Sequence, residues 1–273
     1  MKKPKVAIQG YQGSFHHIVA RECLGEDAEI LCCTTFRQLA SRVENLEADY
    51  GVMAIENSIA GSILANYTIL QNSDLHIIGE YYLPIRQHLI ALPGVKLEDI
   101  EEVHSHPIAL LQSSDYLDEH PWRLVEMSDT AGAARNIAEK GLRNAAAVAG
   151  NIAAEMFGLE ILTQDIHTIK NNHTRFLIIQ RNRHQIVENA NKASLCFTTK
   201  HEQGSLLSVL EQLRDVNMTK IQSSPVANEP WSYMFHIDFE FDSAADYNNI
   251  IEKIYATAQQ VHVYGIYRSG LNK

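Results

Sequence analysis

Short apolar segments that alternate with helical patterns are the feature of this sequence that most restricts its fold. Each segment is only three to six residues long, as expected for a buried strand, and amphipathic or alanine-rich helical patterns separate them. The strand patterns are residues 6–8, 29–33, 50–55, 102–104, 123–126 and 144–149. Strands joined by helices form parallel or mixed sheets that are covered on both faces. We therefore expect an α/β fold of two such sheets, arranged as two lobes with a cleft between them.

The last eighty residues follow a different order, in which a strand-helix-strand unit occurs twice in succession. The predicted strands are residues 194–199, 218–222, 231–241 and 261–266, and the predicted helices are residues 204–215 and 247–258. This βαββαβ order is typical of a ferredoxin-like α+β domain. A polar segment precedes it. We expect a first domain over residues 1–183, a linker over 184–192 and a second domain over 193–273.

The charge balance restricts the partners of the chain. Its 23 basic and 33 acidic residues give a formal net charge of −10, which disfavours nucleic acid and anionic membranes as partners. The apolar run after the basic residues 2–5 ends at Gln9, which is too short for the core of a signal peptide. Four cysteines without a CxxC pair fit a reducing compartment. We expect a cytoplasmic protein without a membrane span.

Polar residues follow several of the predicted strands, at the edge of the sheet where ligands of α/β proteins bind. The segments are residues 10–14, 56–58, 105–107 and 128–130. Each also has a structural explanation. Ser105 and Ser128 are suited to cap helices, and turn chemistry accounts for Asn57 and Ser58. Glycines at positions 10 and 13 permit either a plain strand-to-helix turn or an anion-binding loop.

An arginine at the start of a strongly apolar strand is harder to explain by structure alone. Arg175 lies between the polar residues 170–174 and the apolar residues 176–179. A guanidinium forms paired hydrogen bonds to a carboxylate, which indicates a possible anion site. The thirteen histidines show no ligand spacing such as HExxH, so the sequence predicts no metal site.

In their order along the chain, five motifs resemble those of prephenate dehydratases. They are Gly10-x-x-Gly13-Ser14-Phe15, Ile55-Glu56-Asn57-Ser58 with Gly61, Ser105-His106-Pro107, Thr130-Ala131 with Ala133-Ala134, and Asn172-x-Thr174-Arg175-Phe176. The resemblance covers roughly residues 4–270. It implies a two-lobed catalytic domain shaped like a periplasmic binding protein. It also implies a hydro-lyase that converts prephenate to phenylpyruvate, water and carbon dioxide without a metal or an organic cofactor.

The resemblance also implies roles for particular residues. We expect Arg175 to clamp the pyruvyl carboxylate and Thr174 to donate a hydrogen bond to the leaving hydroxyl. The expected catalytic residues are Thr174, Arg175, Asn57 and Ser58, and the expected pocket residues are Ser14, Glu56, Ser105, His106, Thr130 and Phe176. A threonine hydroxyl is too weak an acid to protonate the leaving group efficiently, so the sequence leaves the proton source open between water and a group such as His106.

The second domain resembles the ACT domain of the same family, which implies inhibition by phenylalanine and self-association as a dimer or tetramer. The residues expected to bind phenylalanine are Gly204, Ser205, Leu206, Leu207, Gln222 and Ser223. Where the family has Glu-Ser-Arg-Pro, this chain has Gln222-Ser223-Ser224-Pro225. Both charged members are missing, so we expect weaker or altered inhibition.

Three alternatives remain open from the sequence. The chain could dehydrate arogenate, whose side chain carries an ammonium group, instead of prephenate. It could be a non-catalytic carboxylate-binding protein with the same cleft. It could also be an amino-acid sensor in which only the second domain functions. A further departure from the family is Ile108, which stands where the family usually has glutamine after Ser-His-Pro.

Overall fold

The computed structural model describes residues 3–181, 187–226 and 229–270. The strands are β1 (Lys5–Gln9), β2 (Glu29–Cys33), β3 (Tyr50–Asn57), β4 (Gly61–Ser62), β5 (His76–Pro84), β6 (His88–Ala91), β7 (Glu102–Ser105), β8 (Arg123–Glu126), β9 (Ala145–Ala149), β10 (Glu160–Thr163), β11 (His173–Gln180), β12 (Lys192–Thr198), β13 (Met218–Pro225), β14 (Tyr233–Glu240) and β15 (Gln260–Tyr267). The α-helices are α1 (Phe15–Leu24), α2 (Phe36–Glu44), α3 (Leu64–Gln71), α4 (Pro107–Leu111), α5 (Ser114–Leu117), α6 (Thr130–Lys140), α7 (Asn151–Phe157), α8 (Ser205–Leu210) and α9 (Ala244–Thr257).

The described chain divides into two compact units. The first unit contains residues up to 39 together with 57–61 and 83–174. The second contains residues 40–56, 62–82 and those from 175 onward. The chain thus passes between the units several times, and the units do not coincide with the domain boundaries expected from the sequence.

A five-stranded mixed sheet forms the core of the first unit. Its order is β10-β6-β9-β7-β8; β9, β7 and β8 run parallel, whereas β6 pairs antiparallel with β9 and β10. Successive residues of β9 face opposite sides: Ala146 and Val148 pack in one apolar cluster, and Ala145 and Ala147 in another. This alternation follows from the two-residue period of a strand. Helices therefore cover both faces, as the apolar pattern predicted.

Strand β1 of the same unit pairs parallel with β2 and leads into the turn before α1. Gly10 and Gly13 both have positive φ values, 91° and 90°, which glycine adopts without steric cost. Ser14 is the N-cap of α1 and its side chain accepts from the His17 backbone N–H. The predicted start of a helix near Ser14 is confirmed.

The second unit contains β3, β11 and β5 in that order, with β4 paired to β3, and a separate four-stranded sheet. The order of the four-stranded sheet is β13-β14-β12-β15, and the pairs are antiparallel. With α8 and α9 it completes the predicted βαββαβ topology, which is ferredoxin-like.

One face of this four-stranded sheet is apolar and the other is buried but polar. On β12, Ala193, Leu195 and Phe197 pack in the apolar cluster that also contains residues of α8 and α9. The intervening Lys192 and Ser194 are buried on the opposite face. Buried polar side chains require partners. The strand therefore carries a polar network as well as an apolar core.

The linker prediction needs a correction at its end. Lys192, expected to end the linker, is the first residue of β12 and its side chain is fully buried. Residues 184–186 of the predicted linker, and the boundary at residue 183, lie outside the described residues. In the part of the chain that the structure describes, no helix is both long and apolar enough to cross a membrane.

Candidate active site

The side-chain amide of Asn57, at the end of β3, organises one cluster of polar residues. Its Nδ2 donates to Asn172 Oδ1 at 2.7 Å, to Thr174 Oγ1 at 3.0 Å and to the His173 carbonyl at 3.2 Å. Its Oδ1 accepts the backbone N–H groups of residues 59 and 60, at 3.0 and 2.9 Å. The predicted site residues Asn57 and Thr174 are therefore in direct contact, although 117 positions separate them in the chain.

This contact fixes the direction in which the Thr174 hydroxyl can donate. An amide nitrogen carries protons and no available lone pair, so the Asn57–Thr174 bond uses a lone pair of the Thr174 oxygen. The hydroxyl proton remains available for another acceptor. Thr174 is also partly exposed. The geometry thus leaves the Thr174 hydroxyl able to donate a hydrogen bond.

Backbone and side-chain bonds hold the two strand ends of this cluster together. The Ser58 N–H donates to the His173 carbonyl at 2.8 Å, and the His173 N–H donates back to Ser58 Oγ at 3.0 Å. Asn172, only 1% exposed, also donates to Gln112 Oε1 at 3.1 Å. The predicted catalytic Ser58 is therefore brought into the cluster, with its hydroxyl oxygen accepting a backbone proton.

A second cluster of the same unit surrounds the glycine turn after β1. A β-carbon at Gly10 would lie 3.8 Å from Asp129 Cγ, and one at Gly132 would lie 3.1 Å from Asp129 Oδ2 and from the Tyr11 ring. The Arg135 guanidinium lies over the same ring, 5.4 Å from its centroid. The turn, the start of α6 and the predicted pocket residue Ser14 thus lie close together. A β-carbon would be tightly packed at position 132, whereas at position 10 the positive φ, rather than a lack of space, favours glycine.

Asp129, rather than Ser128, caps α6. Its Oδ1 accepts the Gly132 backbone N–H at 2.7 Å. Burial raises the pKa of Asp129, and this is partly offset by bonds from Gly132 and Ala131 and by the charge of His106. Asp129 supplies a carboxyl group that the sequence did not place in the site, and the predicted pocket residue Thr130 is the first residue of the helix that it caps.

His106 takes the capping role that the sequence assigned to Ser105. His106 Nδ1 accepts the Ile108 backbone N–H at 3.2 Å, with Pro107 at the first helical position. Ser105 is fully buried at the end of β7, and its hydroxyl donates to the Val148 carbonyl at 2.6 Å. The prediction of Ser105 as a pocket residue is corrected, because its hydroxyl proton is already used within the sheet.

The prediction of Arg175 as a carboxylate clamp is also corrected. The residue is 5% exposed and its guanidinium is bonded on three sides within the second unit. Nε donates to Glu80 Oε2 at 2.7 Å, one terminal nitrogen to Asp238, and the other to the Tyr267 hydroxyl at 2.9 Å. These contacts pair the charge with protein carboxylates, so it is not available to a substrate.

Lys192 completes this buried network by donating to both carboxylate oxygens of Glu80, at 2.9 and 3.0 Å. The cations of Arg175 and Lys192 are therefore balanced by the carboxylates of Glu80 and Asp238. Burial alone would lower the pKa of Arg175, but the Asp238 carboxylate, the Tyr267 hydroxyl and the Glu80 carboxylate outweigh it, so the pKa lies well above its usual value. For Lys192, burial and the neighbouring Arg175 lower the pKa despite the attraction of Glu80.

Two further predicted pocket residues have structural partners. Phe176, predicted as a pocket residue, is 1% exposed and packs among the buried apolar residues of β11. The Glu56 carboxylate accepts from Lys220 Nζ at 2.6 Å. Its charge is thus already paired with a residue of the second unit.

The residues expected to bind phenylalanine lie on α8 and β13. Gly204 precedes α8 with a φ of 82°, and Leu207 is 60% exposed. Leu206 lines a cavity of about 350 Å³ together with Lys200, Trp231 and Tyr233. Of the six predicted residues, Leu206 alone is among those that line this cavity. Gln222 and Ser223, on β13, pair in register with His236 and Phe235 of β14. Ser205 is the first residue of α8.

Sequence reasoning missed the parts played by Gln112, Asp129 and Lys220. Asp129 could have been found as a capping residue immediately before a helix. No local pattern marks the other two, because their partners come from distant strands. Within the described part of the chain, no three His, Cys, Asp or Glu side chains converge as they would around a metal ion.

A family model described as prephenate dehydratase matches residues 6–184, about two thirds of the chain. The chain belongs to the prephenate dehydratase family. The predicted family is thereby confirmed. Solved structures of the family confirm the α/β fold class, and curated relatives confirm the hydro-lyase class. The ACT assignment, the domain boundaries and the roles of the other site residues remain predictions.

Relatives with curated names and solved structures cover nearly the whole chain. The Arabidopsis thaliana protein named arogenate dehydratase/prephenate dehydratase 2, chloroplastic, is 36% identical over 96% of this chain and 72% of its own length. The prephenate dehydratase of Arthrobacter aurescens, solved in complex with L-Phe, is 28% identical, with a TM-score of 0.88 over 97% of this chain and 90% of its own. A protein named GqqA, described as a novel type of quorum quenching acylase, has the same identity and TM-score over 97% of this chain and 98% of its own.

Proposed function

We propose that this prephenate dehydratase family member converts prephenate to phenylpyruvate and that Thr174 acts on the leaving hydroxyl. The observation that carries this role is the bond from Asn57 Nδ2 to Thr174 Oγ1, which leaves the hydroxyl proton free to donate. Ser58 and the neighbouring backbone hold the strand end that carries Thr174. The donor is therefore preorganised, as a group that stabilises developing charge must be.

The chemistry demanded of these residues is modest because aromatisation of the ring provides the driving force. The bond between the ring and its carboxylate breaks and carbon dioxide leaves. That electron pair moves into the ring as the bond to the hydroxyl breaks on the opposite side. The hydroxyl departs as hydroxide unless it receives a proton, so a hydrogen bond from Thr174 stabilises the oxygen as negative charge develops. No metal or organic cofactor is required by this sequence of steps.

The proton that completes the water molecule comes from a group other than Thr174. A threonine hydroxyl is a poor general acid at neutral pH. Thr174 instead relays a proton or polarises the oxygen, and the source is solvent water or an acid such as His106. Asp129 is a second acid to test, because burial raises its pKa.

With Arg175 paired inside the protein, the substrate carboxylates need other donors. The start of α1 is the best candidate, because a helix N-terminus offers unpaired N–H groups to an anion. Ser14 accepts from the His17 N–H at this position, which leaves its hydroxyl proton to donate. His106 and Thr130 stay in the proposal as residues near the same turn.

An Asn57→Asp variant tests the orientation of Thr174 without removing the turn. The aspartate keeps oxygens that can accept from residues 59 and 60, but it cannot donate to Thr174. The threonine proton would turn towards the new carboxylate. We expect kcat to fall roughly 100-fold, the scale of losing one oriented donor. An Asn57→Asp enzyme with the wild-type kcat would exclude this role for the amide.

The substrate preference is tested by comparing kcat/KM for prephenate and arogenate, with phenylpyruvate and phenylalanine measured as the respective products. We expect prephenate to be preferred, because Glu56, the one carboxylate among the predicted site residues, is already paired with Lys220 and is not free for the ammonium group of arogenate. A higher kcat/KM for arogenate would assign the alternative substrate, for which Asp129 is the nearest carboxylate to the glycine turn. Absence of turnover with both would leave the protein as a carboxylate-binding protein.

We also propose that residues 193–273 form an ACT domain that binds phenylalanine, in a cytoplasmic dimer or tetramer. The cavity beside Leu206 supports this, since its volume of about 350 Å³ is in the usual range for small ligands. The described part of the predicted catalytic domain, and of the linker up to Asn191, lies before β12, which begins at Lys192. Gly204, Ser205, Leu207, Gln222 and Ser223 complete the proposed effector region.

Trp231 provides a direct probe of phenylalanine binding, because it lines the cavity and is 78% exposed. The chain has two tryptophans, so a Trp122→Phe variant isolates its signal. We expect a saturable change in Trp231 fluorescence with phenylalanine and none with alanine, together with inhibition of prephenate turnover. Calorimetry that shows no heat with phenylalanine, alongside undiminished activity, would contradict the effector site.

A further inference from the structure

Lys220 forms two short polar contacts that the proposed reaction does not use. Its Nζ donates to Glu56 Oε1 at 2.6 Å and to Ser62 Oγ at 2.5 Å. The side chain is only 10% exposed and that of Glu56 is 32% exposed. An ammonium group with this little solvent is held by its protein partners, so its position on β13 is well defined.

The two partners of Lys220 flank the turn that carries the proposed site residues. Glu56 is the residue before Asn57 on β3, and Ser62 is the last residue of β4. The turn between them contains Asn57 and Ser58. The Lys220 ammonium group therefore contacts the residues on both sides of this turn.

The hairpin has other bonds that close it, so Lys220 is not needed to form it. Strand β4 pairs with β3, and the Ile63 N–H donates to the Ile55 carbonyl at 2.9 Å. Asn57 Oδ1 accepts two N–H groups within the turn. A lysine side chain also loses rotamer entropy when it is fixed, and its two short contacts offset that loss.

We infer that Lys220 is a positioning residue for the dehydration: by holding Glu56 and Ser62 it aims the Asn57 amide at the Thr174 hydroxyl. This inference rests on the proposed function of Thr174. It adds a specific link to β13, on which the proposed effector residues Gln222 and Ser223 follow two and three positions later. A ligand that displaces β13 would therefore act on the turn through one side chain.

Lys220→Met tests the inference, since methionine keeps most of the side-chain length but removes the ammonium. We expect kcat with prephenate to fall about 10-fold while KM stays within 2-fold, because the aim of the Asn57 amide matters most when charge develops on the leaving oxygen. Lys220→Arg, which can still reach both partners, should keep kcat within about 3-fold of the wild type. Lys253→Met removes an exposed lysine of α9 and is the matched control, with unchanged kcat.

A double-mutant cycle with Glu56→Gln separates positioning from a general structural effect. If Lys220 acts through Glu56, the kcat of Lys220→Met/Glu56→Gln should lie within 2-fold of that of Glu56→Gln alone. A purely structural effect would instead change the free energy of unfolding without this coupling in kcat. Ser62→Ala should give a smaller decrease in kcat than Lys220→Met, since it removes one of the two contacts.

Unchanged kcat in Lys220→Met, or multiplicative losses in the double mutant, would overturn the inference. If Lys220→Met does not fold, Glu56→Gln and Ser62→Ala decide the question by the same kcat measurement, and wild-type kcat in both would count against it. Failure of the proposed function is distinguishable, because it would appear as a wild-type enzyme that does not turn over prephenate at all.

Discussion

Replacement of Thr174 by valine is expected to lower kcat for prephenate by roughly 10²–10³-fold with little change in KM, as seen when one preorganised hydrogen-bond donor is removed. Valine has nearly the volume of threonine but lacks the hydroxyl that accepts from Asn57 Nδ2 at 3.0 Å. The substrate should still bind, because the hydrogen bond from Thr174 to the leaving hydroxyl becomes strong mainly as that hydroxyl departs. Single-turnover formation of phenylpyruvate measures the chemical step directly.

Thr174→Ser is the matched control, since it restores a hydroxyl on the same β-carbon. Its kcat should lie within about 10-fold of the wild type, with the loss caused by the freer rotamer of serine. Urea denaturation should show that the free energy of unfolding of both variants lies within about 0.5–1 kcal/mol of the wild-type value, because Thr174 is partly exposed. A valine variant whose kcat is within a few-fold of the wild type would remove Thr174 from the mechanism.

Replacement of Arg175 by methionine is expected to destabilise the fold by about 3–5 kcal/mol, the usual result of removing one partner from a buried ion pair. Glu80 and Asp238, both buried, lose a shared cation, and Lys192 binds only Glu80 among the two carboxylates. Asp238 would keep Ser194, whose hydroxyl donates to it at 2.5 Å, but no cation. Urea unfolding monitored by circular dichroism measures the loss.

Arg123→Met is the control for removal of an arginine–carboxylate pair at the surface. Arg123 is 69% exposed and pairs with Glu102, so its loss should change stability by no more than about 1 kcal/mol. Steady-state kinetics and urea unfolding of Arg175→Met together decide between the two roles for Arg175. A substrate clamp predicts a large rise in KM with unchanged stability, which would refute the structural role argued here.

Most of the secondary structure followed from local patterns. The strands of the first two thirds and the βαββαβ order after them were predicted close to their observed bounds. Helix α3 was missed because its buried residues include Asn66 and no side chain caps its start at Ile63. Strand β10 was missed because four residues are too few to establish a period.

The candidate site was predictable only in part. Asn57 and Thr174 were both predicted as site residues, and the structure places Asn57 Nδ2 3.0 Å from Thr174 Oγ1. Arg175 was given the wrong partner, since a guanidinium at a strand entrance satisfies a protein carboxylate as readily as a substrate. Its actual partners, Glu80 and Asp238, lie 95 and 63 positions away in the chain. Which of these chemically equivalent partners it meets depends on which strands pack together.

The sequence by itself therefore determined most of the strands and helices, the family and the turn that carries Asn57, because these depend on residues that are near one another in the chain or on motifs in a fixed order. The tertiary structure decided which charges are used internally. Arg175 was predicted as a functional cation and Lys192 as part of a polar linker, whereas no local pattern marks Lys220. Each of the three binds a carboxylate of a distant strand. The physical reason is that a charge removed from water must be paired where it is buried, and only the packing of strands shows where that is.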